Sequence, residues 1–391
     1  MKAIVLSGGG AKGSYQIGVW KALRKLHIKY DLITGTSSGA LNGALMVQND
    51  YRKAISLWKK INFKMLFGED ITDINNKLDI YKIYGKEFIR NGGMDVTELE
   101  NIINKTINKR KFFKSKINFG LVTYNITDKK AEEIQKKEIK EEHLEDYLMA
   151  SATCYPAFKQ KEIKGEKYID GGYYDNLPIN LAIKMGATEI IAVDLRAPGF
   201  KRTIKKKAKI TMIKPNNKLT NFLNFNEEGI KRNIKFGYND TMKIFNKLEG
   251  NKYTFKKGHL KKNQELYGET YKHIVKKILN SQKLIKQIKE FSDLAPNKNE
   301  IKKEVFIKVM EYTAKTFNLD ETKIYSHTSF NSTIKKELKK RLKQETNHKK
   351  ITEIDIYKEI LKENYKELRK LAITNPTDLI KAIYLYTICE A

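Results

Sequence analysis

Over its first two hundred residues the chain alternates short apolar runs with longer stretches whose apolar side chains return at helical spacing, the pattern of strands alternating with covering helices. Ala3-Ile4-Val5-Leu6 has no polar alternation, so Ala3–Ser7 reads as a strand buried on both faces. Leu32–Thr34, Ile117–Tyr124 and Glu189–Asp194 predict further strands. Between the first two, Gly13–Leu26 carries Tyr15, Ile17, Val19, Trp20, Leu23 and Leu26 at largely helical spacing. Ala40–Val47 predicts a second helix with only small side chains at its start. Residues 51–110 read as helical and connecting, with Trp58, Ile61, Phe63, Leu66 and Phe67 as an apolar patch. The expected fold is α/β, a mostly parallel central sheet with helices on both faces, over residues 1–250.

A lysine-dense run, Lys201–Lys209, follows the last clear strand, and reads as a solvated loop or as a patch that attracts anionic headgroups. Beyond residue 255 the periodicity turns helical and predicts an all-helical C-terminal domain, 255–391. Ile274, Ile278, Ile285 and Ile288 form one stripe. Phe306, Val309, Met310, Thr313 and Phe317 form another; Ile354, Ile360, Leu361, Tyr365 and Leu368 a third. Such stripes are faces that pack on one another or, in basic amphipathic helices, lie on membranes.

The 391 residues are 40% hydrophobic and 10% aromatic, enough for real cores, which excludes a disordered chain. A net charge of +30, from 76 Lys and Arg against 46 Asp and Glu, calls for an anionic partner. The excess is lysine spread along the whole chain, without zinc-finger spacing or an RNA-binding aromatic signature. An anionic membrane surface is therefore expected, and nucleic acid is not. Cys154 and Cys389 lie far apart and imply neither a disulfide framework nor a metal site, which fits a reducing compartment. The first apolar run is too short for a secretory signal, and no run reaches the ~18 residues that span a bilayer. The expectation is a cytoplasmic or peripheral membrane protein.

The chemistry concentrates at Gly35-Thr36-Ser37-Ser38-Gly39. A serine framed by glycines between strand and helix is how a chain presents a nucleophile, although the same letters also make a flexible turn. Upstream, Gly8-Gly9-Gly10-Ala11-Lys12-Gly13 opens the first helix, so its amides suit an anion. It also fits a dinucleotide fingerprint, but that wants an acid at the far end of the second strand, where Gly35-Thr36-Ser37 stands; Asp31 lies at the near end. In acyl transfer the same amides would form an oxyanion hole. A serine needs a base, and none of the histidines, His27, His143, His259, His273, His327 and His348, sits in a motif. Asp170, in Tyr168-Ile169-Asp170-Gly171-Gly172, is the candidate, against the plain reading of a tight turn. It would have to be desolvated and bonded directly to Ser37 to act near neutral pH.

These motifs together resemble the patatin-like phospholipase family. The glycine loop Gly8–Gly13, the turn Gly35–Gly39 and Asp170-Gly171-Gly172 come in the family's order, followed by Asp175-Asn176-Leu177-Pro178, and Ala150–Pro156 is similar to the family's small-residue segment. The resemblance covers residues 1–250. It implies a lipid acyl hydrolase of phospholipase A or lysophospholipase type, working through a Ser37/Asp170 dyad and an acyl-enzyme without cofactor or metal. Gly8, Gly9, Gly10, Ala11 and Gly13 would form the oxyanion loop, with the amides of Gly9, Gly10 and Ala11 as donors. Gly35 and Gly39 would frame the nucleophile, and Gly171 and Gly172 would follow the base. Lys12 is a candidate headgroup contact or a solvated helix-start lysine. Ser38 departs from a one-serine turn and leaves two hydroxyls to choose between. The apolar patch near Trp58 would be core or the border of an acyl site. A phospholipid is the expected substrate; another fatty-acyl ester, cleaved by a carboxylesterase or neutral-lipid hydrolase with the same dyad, and a non-enzymatic lipid-surface adaptor are the alternatives.

Overall fold

Because Ala3, Ile4, Val5 and Leu6 offer apolar side chains to both faces, β1 (Lys2–Leu6) takes the middle of an eight-stranded sheet. It lies between β2 (Leu32–Thr36) and β7 (Glu189–Val193). In this computed structural model residues 1–62, 64, 85–87, 89–279, 303–343 and 351–390 are described, and the chain divides into two compact units, Met1–Ile244 and Phe245–Ala391. Of the apolar patch, Trp58 and Ile61 are buried, whereas Phe63, Leu66 and Phe67 lie outside the described residues.

The remaining strands of the first unit are β3 (Asn118–Asn125), β4 (Lys130–Gln135), β5 (Lys161–Ile163), β6 (Glu166–Asp170) and β8 (Lys209–Ile213). The sheet is mixed. β3, β2, β1, β7 and β8 run parallel, while β4, β5 and β6 add antiparallel pairs at the β3 side. β4 follows β3 from Gly120 to Asn125 and so fills one of its edges. β2 and β6 must therefore share the other edge: β2 pairs as far as Val122, opposite Thr36, and β6 takes over at Thr123, opposite Asp170. The C-terminal ends of β2 and β6 meet there.

Among the described residues, eight helices surround the sheet: α1 (Ser14–Lys25), α2 (Ser38–Val47), α3 (Tyr51–Lys60), α4 (Thr97–Thr106), α5 (Lys109–Lys114), α6 (Leu144–Ala152), α7 (Ile179–Lys184) and α8 (Glu227–Ile244). Successive strand residues point to opposite faces, so Ala3 and Val5 pack on Ile179 and Ala182 of α7. On the other face Ile33 and Phe119 meet α2 at Gly43. α1 crosses α8 at very close range, because a Cβ on Gly18 would overlap the Ile234 carbonyl and one on Gly237 the Tyr15 carbonyl. The crossing is pinned by Tyr15, whose hydroxyl donates to Asp240 at 3.0 Å, and by Asn233, which donates to Ser14 at 3.1 Å.

The second unit is helical, with α9 (His259–Leu279), α10 (Lys303–Thr316), α11 (His327–Leu342), α12 (Glu353–Leu361), α13 (Tyr365–Thr374) and α14 (Pro376–Glu390). Ile278, Phe306, Val309, Met310, Phe317, Ile360 and Leu368 enter one core, so the stripes are packing faces; Leu361 instead faces solvent, and Ile285 and Ile288 lie outside the described residues. The expectation of a wholly helical domain needs one correction. β9 (Leu248–Glu249), β10 (Thr254–Lys256) and β11 (Ile324–Tyr325) form a small sheet. Strands of two or three residues are too short to show an alternation in sequence.

The α1–α8 crossing yields a test. Gly237→Ala forces a Cβ against the Tyr15 backbone and is expected to cost about 1–3 kcal/mol. Both tryptophans, Trp20 and Trp58, lie in the first unit, so denaturant unfolding followed by their fluorescence reads that loss. Gly268→Ala in α9, where the added Cβ meets only the Gln264 side chain at 3.5 Å, leaves that transition in place and gains up to about 1 kcal/mol of helix propensity. An unmoved tryptophan transition in Gly237→Ala would refute the close crossing.

Candidate active site

Ser37 sits where β2 gives way to α2, at φ 56° and ψ −130°. A non-glycine residue rarely adopts such a conformation, and it persists only where the surroundings enforce it. Three contacts do so. The Ser37 amide donates to Ser151 Oγ at 3.0 Å, and Ser151 in turn donates to the Val122 carbonyl at 2.7 Å. The preceding Thr36 hydroxyl donates to the Asp175 carbonyl at 2.7 Å. The glycine frame is tight, since a Cβ on Gly35 would overlap the Gly39 backbone and one on Gly39 the Leu6 carbonyl.

Asp170 arrives from the end of β6. Immediately after it the chain crosses β3 so closely that a Cβ on Gly171 would overlap the Val122 carbonyl. That glycine lets the turn fold back, and the Gly172 amide donates to Asp170 Oδ1 at 2.7 Å. The Ser37 side chain lies beside the same carboxylate and favours its ionised form. Only 7% of Asp170 and 8% of Ser37 is exposed. Burial pushes the Asp170 carboxyl up to about 6, against the downward pull of the Gly172 hydrogen bond and the neighbouring Ser37 side chain.

The glycine loop is divided in use. The Gly8 amide donates to the Asn176 carbonyl at 3.1 Å and the Ala11 amide to the Phe222 carbonyl at 2.8 Å. Both are committed within the protein, so Ala11 is not an available donor, contrary to the expectation from sequence. Gly13 lies against Ser38 and Trp58, outside the cavity lining. Gly9 and Gly10 line the cavity with Ser37 and Asp170, and their amides have no protein acceptor among the described residues. Gly10 is held at φ +51°, with the Phe222 carbonyl where a Cβ would lie. Lys12 donates to the Arg196 carbonyl at 3.2 Å. Asp31 accepts from the Lys2 amide at the opposite end of β1, away from the glycine loop, which removes the geometry of a dinucleotide site.

The cavity has a volume of about 590 Å³ and is walled mainly by apolar side chains, among them Leu41, Trp58, Ile103, Phe158 and Phe225. The walls around Trp58 are held by a buried polar chain: Trp58 donates to Asn42, Asn42 to Gln16, and Gln16 to the Ser7 carbonyl, at 2.8, 2.8 and 2.7 Å. Ser38 is buried, and its Oγ has no hydrogen-bond partner among the described residues. Cys154 also lines the cavity, but burial and the nearby Asp170 push its thiol up to about 12, so it holds no thiolate near neutral pH. No histidine lines the cavity among the described residues; His348 lies outside them. Among the described residues no group of three or more His, Cys, Asp or Glu is placed to hold a metal ion, and no helix is long and apolar enough to cross a membrane.

Ser151 and Asn176 were quoted in sequence only as members of family-like segments. Their work here, holding the Ser37 amide and taking the Gly8 amide, spans 114 and 168 residues of sequence. Asn42 carried no sequence signal at all.

Residues 4–183 match the family model described as Patatin-like phospholipase. Patatin-like phospholipase domain-containing protein 7 of Rattus norvegicus is 29% identical over 194 residues, covering 49% of this chain and 13% of the rat protein. Lysophospholipase nte1 of Aspergillus terreus is 30% identical over 197 residues, covering 49% of this chain and 12% of its own length. The chain thus spans about an eighth of the length of these relatives. The crystal structure of VipD from Legionella pneumophila aligns over 99% of this chain and 91% of its own, at 16% identity and a TM-score of 0.43. With its motifs in the family's order, its mixed sheet wrapped by helices and its match to the family model, the segment 4–183 belongs to the patatin-like phospholipases.

Proposed function

We propose that this protein is a lipid acyl hydrolase of phospholipase A or lysophospholipase type that works through Ser37 and Asp170. The observation that carries the reading is the Ser37 side chain set beside a desolvated Asp170 carboxylate at an apolar cavity. A carboxyl held near pH 6 is a far better base at neutral pH than an ordinary one near 4. Ser37 Oγ attacks the acyl carbonyl as its proton passes to Asp170. The charge that builds on the carbonyl oxygen is met by the Gly9 and Gly10 amides, donors of a kind worth around 3 kcal/mol each. Collapse of the tetrahedral intermediate breaks the ester C–O bond, and Asp170 returns the proton to the leaving alcohol. Water, activated by the same carboxylate, then attacks the acyl-enzyme and releases the fatty acid. The apolar walls suit an acyl chain, and the names of the rat and fungal relatives support phospholipid or lysophospholipid as substrate.

Purified Ser37→Ala and Asp170→Asn are expected to lose about 10³-fold or more in hydrolysis of phosphatidylcholine, lysophospholipid and short acyl esters. Comparable rates in either variant would remove the dyad. The ranking of those substrates against triacylglycerol identifies the leaving alcohol. Ser38→Ala keeps the activity and, since it deletes an unpartnered buried hydroxyl, costs no stability. A fluorophosphonate adduct on Ser38 in place of Ser37 would reverse the assignment.

Asp170 must be ionised to accept a proton, so kcat/KM should fall below about pH 6, tenfold per unit, and a profile flat down to about pH 4 would exclude it as base. The stability effect has the opposite sense. The folded-state carboxyl lies above its unfolded value, so its cost to the fold grows between about pH 4 and pH 6 and is present in full above that. Asp170→Asn is thus expected to raise stability by up to about 3 kcal/mol near neutral pH, with the gain vanishing near pH 4. Denaturant titrations at the two pH values read this directly.

A further inference from the structure

Between Asp194 and Glu227 the chain contains nine Lys and Arg and no acidic residue. This stretch also supplies part of the cavity wall, through Phe222 and Phe225, and part of its edge, through Pro198, Gly199 and Phe200. Phe200 is 67% exposed, and Tyr173, also in the cavity lining, is 43% exposed. Ile204, four residues after Phe200, is 43% exposed. Single exposed apolar residues are ordinary. Here two of them edge an apolar cavity, and a third stands among unpaired cations.

We propose that the segment Pro198–Lys207, together with Tyr173, is a docking rim that seats the cavity mouth on an anionic lipid bilayer. The proposal rests on the acyl-hydrolase reading and adds the surface by which substrate is reached. Lys205, Lys206 and Lys207 are exposed and make no ion pair among the described residues. Of the carboxylates that contact this segment, Asp194 is already held by Lys201 at 2.8 Å, and Asp175, which accepts from the Arg202 amide at 3.4 Å, is buried. Arg202 lies over the Tyr174 ring at 4.6 Å. Cations at this height meet lipid phosphates, while Phe200, Ile204 and Tyr173 offer the apolar and amphipathic contacts of the headgroup boundary. The rim is clipped to the site: the Phe200 amide donates to the Gly172 carbonyl at 2.9 Å, and the Phe200 carbonyl accepts from the Asn176 amide at 2.6 Å. A lipid lifted from the bilayer beside Phe200 therefore enters the cavity two residues from Asp170. A nucleic acid would use the charge but not the apolar edge.

The test uses full-length protein carrying Ser37→Ala, so that vesicles stay intact. It should sediment with phosphatidylcholine vesicles containing about 30% phosphatidylserine and bind pure phosphatidylcholine at least about tenfold more weakly, with the difference erased near 0.5 M salt. Adding Lys205→Glu, Lys206→Glu and Lys207→Glu together, or Ile204→Asp alone, should weaken binding to anionic vesicles about tenfold and several-fold, respectively. In the Ser37 background the same changes should slow hydrolysis of vesicle lipid while leaving that of a monomeric water-soluble acyl ester within about twofold. Unchanged vesicle binding in these variants, or equal binding to neutral and anionic vesicles, would overturn the rim, as would binding of single-stranded nucleic acid in preference to vesicles. Ester hydrolysis without vesicle binding sinks the rim alone; rim-dependent vesicle binding without any hydrolysis sinks the enzymatic reading alone.

Discussion

The site depends on how one edge of β3 is shared. With β4 along one side of that strand, β2 and β6 divide the other between Val122 and Thr123, and their C-terminal ends are forced together. That single register brings a hydroxyl and a carboxylate from positions 133 residues apart side by side. A slip of one residue in either pairing would turn the side chains to the other face of the sheet. Much of the surrounding detail serves to hold this meeting point: Ser151 spans from the Val122 carbonyl to the Ser37 amide, and Thr123 Oγ1 donates to the Ile169 carbonyl at 2.9 Å.

Desolvation is what gives the meeting point its chemistry. In water the Asp170 carboxylate would be a weak base and the Ser37 hydroxyl an indifferent nucleophile. Enclosed by β3, the glycine turns and the cavity wall, the carboxyl loses much of its preference for the charged form, which is what the proposed dyad requires of it. The same enclosure is a standing cost to the fold, borne by the apolar packing of β1, β2 and α7. The short glycine-rich segments belong to this balance, because they bring backbone rather than bulk against Ser37 and Asp170.

The sequence carried these features unevenly. The four expected strands, α1 and α2 were legible because each is a run with a clear apolar period. Ser37, Asp170 and the glycine loop were legible because strain and close backbone approach demand particular residue types at particular spacings. The short strands β5, β9, β10 and β11 had too few residues to show a period. β4, Lys-Ala-Glu-Glu-Ile-Gln, is an edge strand with a mostly polar pattern, so nothing apolar announced it. The division of the glycine loop into free and committed amides was invisible, since it turns on the Asn176 and Phe222 carbonyls far along the chain. The same holds for Ser151 and Asn42, whose partners are set by tertiary structure alone.

The cavity wall and the proposed dyad come from different parts of the polypeptide. Gly9, Gly10, Ser37 and Asp170 follow strand ends or close one, whereas Trp58 and Ile61 belong to α3 and its end, Ile102 and Ile103 to α4, and Phe222 and Phe225 to the approach to α8. Bulk added to or removed from those helices and that loop would reshape the space beyond Ser37 without entering the register of β3. Under the proposed function, rate and selectivity are thereby encoded as nearly independent variables. A designer could retune what the pocket admits by editing its helical wall, and leave untouched the few residues whose geometry tolerates no revision.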